Sequence, residues 1–122
     1  MFNSRFLLVI PCYNEEQRFD EEYFKKILSF KGVGLLFVND GSNDRTKEIL
    51  QSFVEKNPLK SEFLNLPKNC GKGEAVRRGI LRGFDFESTL IGFLDADGAF
   101  PVEVVRESLE KIESAHSSIT SF

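Results

Sequence analysis

Asp95 and Asp97 stand two residues apart at the end of an apolar run, Leu90-Ile91-Gly92-Phe93-Leu94, and are followed by Gly98. Side chains at i and i+2 of an extended chain project to one face, so the two carboxylates can converge on one site. If the chain turns at Gly98 they diverge slightly, one onto a sugar hydroxyl and one onto a metal. So few hard oxygen ligands suit Mg2+ or Mn2+ shared with substrate phosphates, not a closed protein cage. A pair of solvated loop acids has the same spacing, and an isolated Asp-x-Asp does not separate the two readings. The other polar clusters of the chain have to decide.

Two of those clusters also follow short apolar runs. Phe6-Leu7-Leu8-Val9-Ile10 leads into Pro11-Cys12-Tyr13-Asn14-Glu15-Glu16, and Leu35-Leu36-Phe37-Val38 leads into Asn39-Asp40-Gly41-Ser42-Asn43-Asp44. A further loop, Asn69-Cys70-Gly71-Lys72-Gly73, combines turn residues with one cation and could let backbone approach a flat base or a phosphate. It lacks the four-residue spacer and Lys-Ser/Thr pair of a Walker loop, and no G-x-G-x-x-G follows the first apolar run, so neither of those nucleotide motifs is present.

The elements that must position these residues alternate. Continuous apolar runs of four or five residues predict strands at Phe6–Ile10, Leu35–Val38 and Leu90–Leu94, each covered on both faces, with a shorter and less apolar one at Phe63–Leu66 nearer a sheet edge. Helical spacing of Phe24, Ile27 and Leu28 predicts a helix over Glu21–Phe30. Ile49, Leu50, Phe53 and Val54 mark a second, capped by Ser42, Asn43 or Asp44 and ended by Asn57-Pro58. Ala75, Val76, Ile80 and Phe84 mark a third; a fourth starts at Pro101 with Val102, Val105, Leu109 and Ile112 on one face. Periodicity fades from Ser114 onward. The expected fold is α/β, a Rossmann-like three-layer α/β/α sandwich with a mostly parallel sheet. Parallel crossovers then put the strand ends on one edge, so the loops at 11–16, 39–44 and 95–100 become neighbours. Asn14, Glu15, Asp40, Asp95 and Asp97 would line one crevice. Gathering that many acids favours a bound cation, and a nucleoside diphosphate with a divalent metal satisfies them all.

The whole chain bounds the rest. Its 122 residues, 41% hydrophobic and 29% charged, fit one soluble domain. A net charge of -3 with intermixed signs gives no basic face for nucleic acid or an anionic surface. Cys12 and Cys70 form no CxxC pair and are expected to be reduced. His116, the single histidine, has no partner residue near it and is not read as a catalytic base. The first apolar run is too short for a signal peptide or a bilayer span, which places the chain in the cytoplasm, with membrane association left to a full-length form. Thirteen Phe and no Trp suggest no function.

Four segments in order carry a resemblance: Pro11-Cys12-Tyr13-Asn14-Glu15, Val38-Asn39-Asp40-Gly41-Ser42-Asn43-Asp44-Arg45-Thr46, Asn69-Cys70-Gly71-Lys72-Gly73-Glu74-Ala75, and Asp95-Ala96-Asp97. Together they closely resemble the motifs of family 2 glycosyltransferases with the GT-A fold, over nearly the whole chain up to about Pro101. Within the family, Lys72-Gly73-x-Ala75-Val76-Arg77-x-Gly79 is most similar to the branch that moves a hexose from a nucleotide sugar to a polyprenyl phosphate. The resemblance implies that Pro11, Tyr13 and Glu15, with Asn14 in the same motif, surround the nucleoside, that Asp40 bonds the base N–H, and that Lys72 lies near base or phosphates. It further implies Asp95 on ribose or metal, Asp97 on the divalent cation, UDP or GDP as carrier, and inversion at the sugar carbon.

The family's acceptor-deprotonating carboxylate lies in a later segment, so it is expected beyond residue 122, and the chain reads as the donor-binding part of a larger domain, incomplete at its C-terminus. The alternatives are a nucleotide-binding module without turnover and a nucleotidyltransferase. The latter carries a glycine- and arginine-rich loop after its first strand, which Pro11-Cys12-Tyr13-Asn14 is not. A sheet ending at the fourth strand leaves an open edge and an apolar face, so a homodimer or larger species is expected.

Overall fold

The computed structural model describes residue 2 and residues 4–120, with side chains as far as residue 115. His116 therefore has its side chain outside the described residues. The elements alternate as β1 (Phe6–Cys12), α1 (Glu21–Leu28), β2 (Val33–Asp40), α2 (Thr46–Lys56), β3 (Ser61–Leu66), α3 (Lys72–Gly83), β4 (Leu90–Phe93) and α4 (Val102–Thr120). The four strands form one sheet in the order β3-β2-β1-β4, and every pairing is parallel.

Alternation along the strands sorts the core into two layers. Phe6, Leu8, Ile10, Val33, Leu35 and Phe37 point to the face covered by α1, α2 and α4. Leu7, Val9, Leu36 and Val38 point to the opposite face, under α3. The three-layer sandwich follows directly from helices covering both faces. Much of the phenylalanine content is packing: Phe24 lies 5.3 Å from Phe37, and Phe37 5.2 Å from Phe53, all edge-on, with Phe19 stacked 5.2 Å from Phe24. On the other face α3 comes close to the sheet because residue 79 is glycine; a Cβ there would stand 2.4 Å from a Val9 methyl and 2.9 Å from one of Val38.

Several local expectations shift. β1 continues through Pro11 to Cys12. Val9 O accepts the Leu94 N–H at 2.9 Å, so by alternation the missing donor of Pro11 faces the side where β4 has already ended, and no ladder bond is lost. β4 is not covered on both sides. It is an edge strand of four half-buried to exposed residues, and Phe93 is 56% exposed. β3, as expected, takes the other edge. Lys72 is the first residue of α3 and not part of the preceding loop. Arg45 holds the N-cap position of α2 without a side-chain bond; it is Asp44, one residue earlier, whose carboxylate accepts the Thr46 N–H at 3.0 Å.

Candidate donor-binding site

All four strands run the same way, and the loops that leave β1, β2 and β4 meet at one sheet edge. The first two are stapled together. The Asn14 N–H donates to Ser42 Oγ at 3.0 Å, the Glu15 N–H to Thr46 Oγ1 at 2.8 Å, and the Glu16 N–H to Asp44 Oδ2 at 3.1 Å. Asn14 sits at φ 51, a left-handed conformation that asparagine tolerates, and its side-chain oxygen accepts the Asn43 N–H at 2.9 Å. Ser42 in turn donates to Asn39, whose amide reaches Asn65 on β3 at 2.7 Å. One hydrogen-bonded chain thus ties three strand ends. The Asp44 carboxyl is held below its usual range: burial opposes ionisation, but the Thr46 hydroxyl and the N–H groups of Thr46 and Glu16 outweigh it.

The third contact is made by Asp40. It is 2% exposed, and its carboxylate is taken up by the loop before α3: Oδ1 accepts the Cys70 N–H at 2.7 Å, while Oδ2 accepts the Gly71 N–H at 3.0 Å and the Asn69 amide at 3.1 Å. The same Asn69 amide also donates to the Asp40 carbonyl at 3.1 Å. The neighbouring backbone touches: Gly41 has φ +62, and a Cβ on it would lie 2.2 Å from Asn69 N. Glycine is required there on both counts. This clasp sets the start of α3, from which the Lys72 ammonium reaches the Asp95 carboxylate.

Between these loops lies a cavity of about 440 Å³ walled by Pro11, Cys12, Tyr13, Glu15, Arg18, Asp40, Asn69, Gly71, Lys72, Asp95, Ala96 and Asp97. That size suits a small-molecule ligand. Pro11, Tyr13, Glu15, Asp40, Lys72, Asp95 and Asp97 are brought together on its wall; Asn14 lies outside the lining and braces the two loops. Tyr13 is 41% exposed, its ring available for stacking.

Glu15 is 8% exposed. Its Oε1 accepts from Arg18 at 3.1 Å, and its buried Oε2 has no partner among the described residues. Burial pushes its carboxyl above the usual range, with Arg18 and the Tyr13 backbone pulling the other way and Asp97 and Asp44 adding to the rise. Burial, then Glu15, pushes the Cys12 thiol far up, so it is no nucleophile. Both cysteines are free thiols.

The oxygen donors present fit a divalent cation only in part. Asp95 and Asp97 are hard ligands on the cavity wall, but among the described residues no group of three or more His, Cys, Asp or Glu side chains is placed to hold a metal. A cation there would complete its shell from phosphate and water, as Mg2+ and Mn2+ do.

The sequence does not single out Arg18 or Asn69. Arg18 carried one signal, a cation three residues after Glu15. Asn69 stands out only as part of its loop, and nothing local marks its partner 29 residues upstream.

Comparison with known proteins bears on the family and the fold. Residues 7–121 match the model of Glycosyl transferase family 2. Over 115 residues the chain is 38% identical to the dolichyl-phosphate beta-glucosyltransferase ALG5C of Trichomonas vaginalis, covering 87% of this chain and 33% of that protein. Among solved structures, S. aureus TarS 1-349 in complex with UDP-GlcNAc superposes with a TM-score of 0.71 at 22% identity, covering 92% of this chain and 32% of that one. The mannosyltransferase PcManGT of Pyrobaculum calidifontis, in complex with GDP-Man and Mn2+, gives 0.56 at 21% identity over 66% of this chain and 24% of that one. These likenesses establish the GT-A fold, and the chain spans about a third of the length of its relatives. With nearly its whole length matched, the chain belongs to glycosyltransferase family 2.

Proposed function

We propose that the chain is the donor-binding part of a glycosyltransferase that moves a hexose from a UDP- or GDP-linked sugar to a polyprenyl phosphate, with inversion and a divalent metal. The observation that carries this reading is the meeting of Lys72, Asp95 and Asp97 with Glu15 and Asp40 on one cavity wall. The family match and the dolichyl-phosphate relative support it.

In this reading Pro11 and Tyr13 flank the base, and Glu15 Oε2, buried and unpartnered, accepts a nucleoside hydroxyl. Asp40 retains one lone pair on Oδ1 for a base N–H, three of its roughly four acceptor positions being used by residues 69–71. Lys72 donates to the diphosphate. Asp97, with Asp95, would hold Mg2+ or Mn2+, which supplies a charge that offsets the negative charge growing on the departing nucleoside diphosphate. No described residue is assigned to acceptor binding or to deprotonation of the acceptor.

A polyprenyl phosphate is a membrane lipid, so this reading puts the reaction at a membrane surface; no helix among the described residues is long and apolar enough to cross a bilayer. In the chain by itself, the β4 edge and an apolar groove of about 340 Å³ beside α4, which includes the exposed Phe93, Phe100, Val104 and Ile112, are covered by a second copy.

Thermal unfolding with each nucleotide tests donor binding. A ligand at 100 times its Kd adds about 2.7 kcal/mol of stability, so UDP or GDP with Mn2+ raises Tm and ADP does not. Equal shifts with all three would contradict the reading.

A further inference from the structure

The eight residues 94–101 that connect β4 to α4 carry both acidic candidates, and the stretch is pinned near both ends. At the start, Leu94 donates its N–H to Val9 O at 2.9 Å, the last bond between β4 and β1. At the far end, the Tyr23 hydroxyl on α1 donates to the Phe100 carbonyl at 2.6 Å, across 77 positions of sequence. Between them the turn is closed by Asp97 itself, whose Oδ1 accepts the Ala99 N–H at 2.9 Å. Gly98 turns the backbone at φ +68 against the Tyr23 ring, so that a Cβ there would lie 3.8 Å from the ring edge. Tyr23 is buried and does not line the cavity. Its ring packs edge-on against Phe24, 5.0 Å between centroids.

We infer that Tyr23 is a positioning residue of the donor site: its hydroxyl tethers the turn after β4 to α1 and thereby fixes where Asp97 presents its carboxylate. The inference rests on the reading of Asp97 given under Proposed function. Burial, and then the Asp97 carboxylate, pushes the phenol up, so the hydroxyl remains a donor. Core packing alone would be met by phenylalanine at this position; among the described residues the hydroxyl has one partner, and that partner belongs to the turn.

The Tyr23→Phe variant removes the hydroxyl and keeps the ring. Two measurements on the 122-residue chain read its effect: amide hydrogen exchange by mass spectrometry, and calorimetric titration with UDP or GDP over a series of Mn2+ concentrations. Loss of one hydrogen bond opens the tethered end about five- to tenfold more often. Exchange across 96–100 is expected to accelerate by that factor while α1 exchanges as before, and the Mn2+ concentration for half-maximal nucleotide binding is expected to rise several-fold. Unchanged exchange across 96–100 would overturn the inference, as would acceleration spread equally through α1 or an unaltered Mn2+ requirement beside a loosened turn. Absence of Mn2+-dependent binding in the unsubstituted chain would defeat the donor-site reading itself. The exchange arm needs no ligand, and it would then decide by itself whether Tyr23 holds the turn.

Discussion

The ammonium of Lys72, at the first position of α3, pairs with the carboxylate of Asp95 just past the end of β4, 23 residues later. The pair bridges the start of α3 and the loop after β4 on the wall of the cavity. Each partner is also a group that a nucleotide diphosphate and its cation would engage, so ligand binding competes with the pair. Its side chains are 59% and 35% exposed, and an exposed pair contributes at most about 1 kcal/mol to stability.

Lys72→Ala is therefore expected to change urea stability by less than about 1 kcal/mol. Nucleotide affinity should fall about tenfold or more, the loss of one charge-assisted bond to phosphate. Calorimetry beside urea unfolding separates the two effects. A large stability loss with intact affinity would mean that Lys72 only braces α3 against the loop after β4.

Asp40 is the opposite case. Its carboxylate is buried and receives three hydrogen bonds from residues 69–71, so Asp40→Ala leaves those donors unpaired and is expected to lower stability by about 1–3 kcal/mol. Gly41→Ala should be at least as damaging, because it combines left-handed backbone with a collision against the Lys68–Asn69 backbone. Urea midpoints measure both, and proteolysis should begin within residues 67–71.

Glu15 gives the stability a pH dependence of known sign. Burial raises its folded pKa above the value in the unfolded chain. The stability tied to the neutral acid is therefore complete below the ordinary glutamate range and lost as pH rises through the raised value. Glu15→Gln is expected to match the parent at pH 4 and to be the more stable at pH 8, while nucleotide affinity falls because the free Oε2 is gone. Urea titrations at the two pH values check the first statement; equal differences at both would contradict it.

Much of this arrangement is legible in the sequence. Apolar runs that end in polar clusters at 11–16, 39–44 and 95–97 place the strands, and parallel topology then brings their ends together whatever their separation. The errors have physical causes. Leu90–Leu94 reads as buried on both faces because its composition matches a central strand, and a sequence does not state which strand lacks a neighbour. The first strand reads as ending at Ile10, yet it runs on through Pro11, whose missing N–H costs no ladder bond because β4 stops at Phe93. Tyr23 merges with the apolar face of α1, and its one polar atom finds a carbonyl 77 residues away. Asp40 is visible as an acid at a strand end, but its saturation by the 69–71 backbone depends on a loop whose path only the fold determines. The cap of α2 falls to Asp44, one of three adjacent candidates that local chemistry ranks equally.

We propose that the chain self-associates through its β4 edge. Light scattering of the chain is expected to show a dimer or larger species, and Phe93→Glu, which puts a charge on that exposed edge, should return it to monomer. A parent chain that is monomeric at high concentration would remove the proposal.

The most direct test of the donor site is calorimetric titration with UDP and with GDP, each with Mn2+ and again with excess chelator, on the chain and on Asp97→Ala. One nucleotide is expected to bind only with Mn2+, with that binding lost in Asp97→Ala. Binding that ignores both chelator and substitution, or no binding of either nucleotide, would contradict the assignment of this cavity to a metal-linked nucleotide sugar.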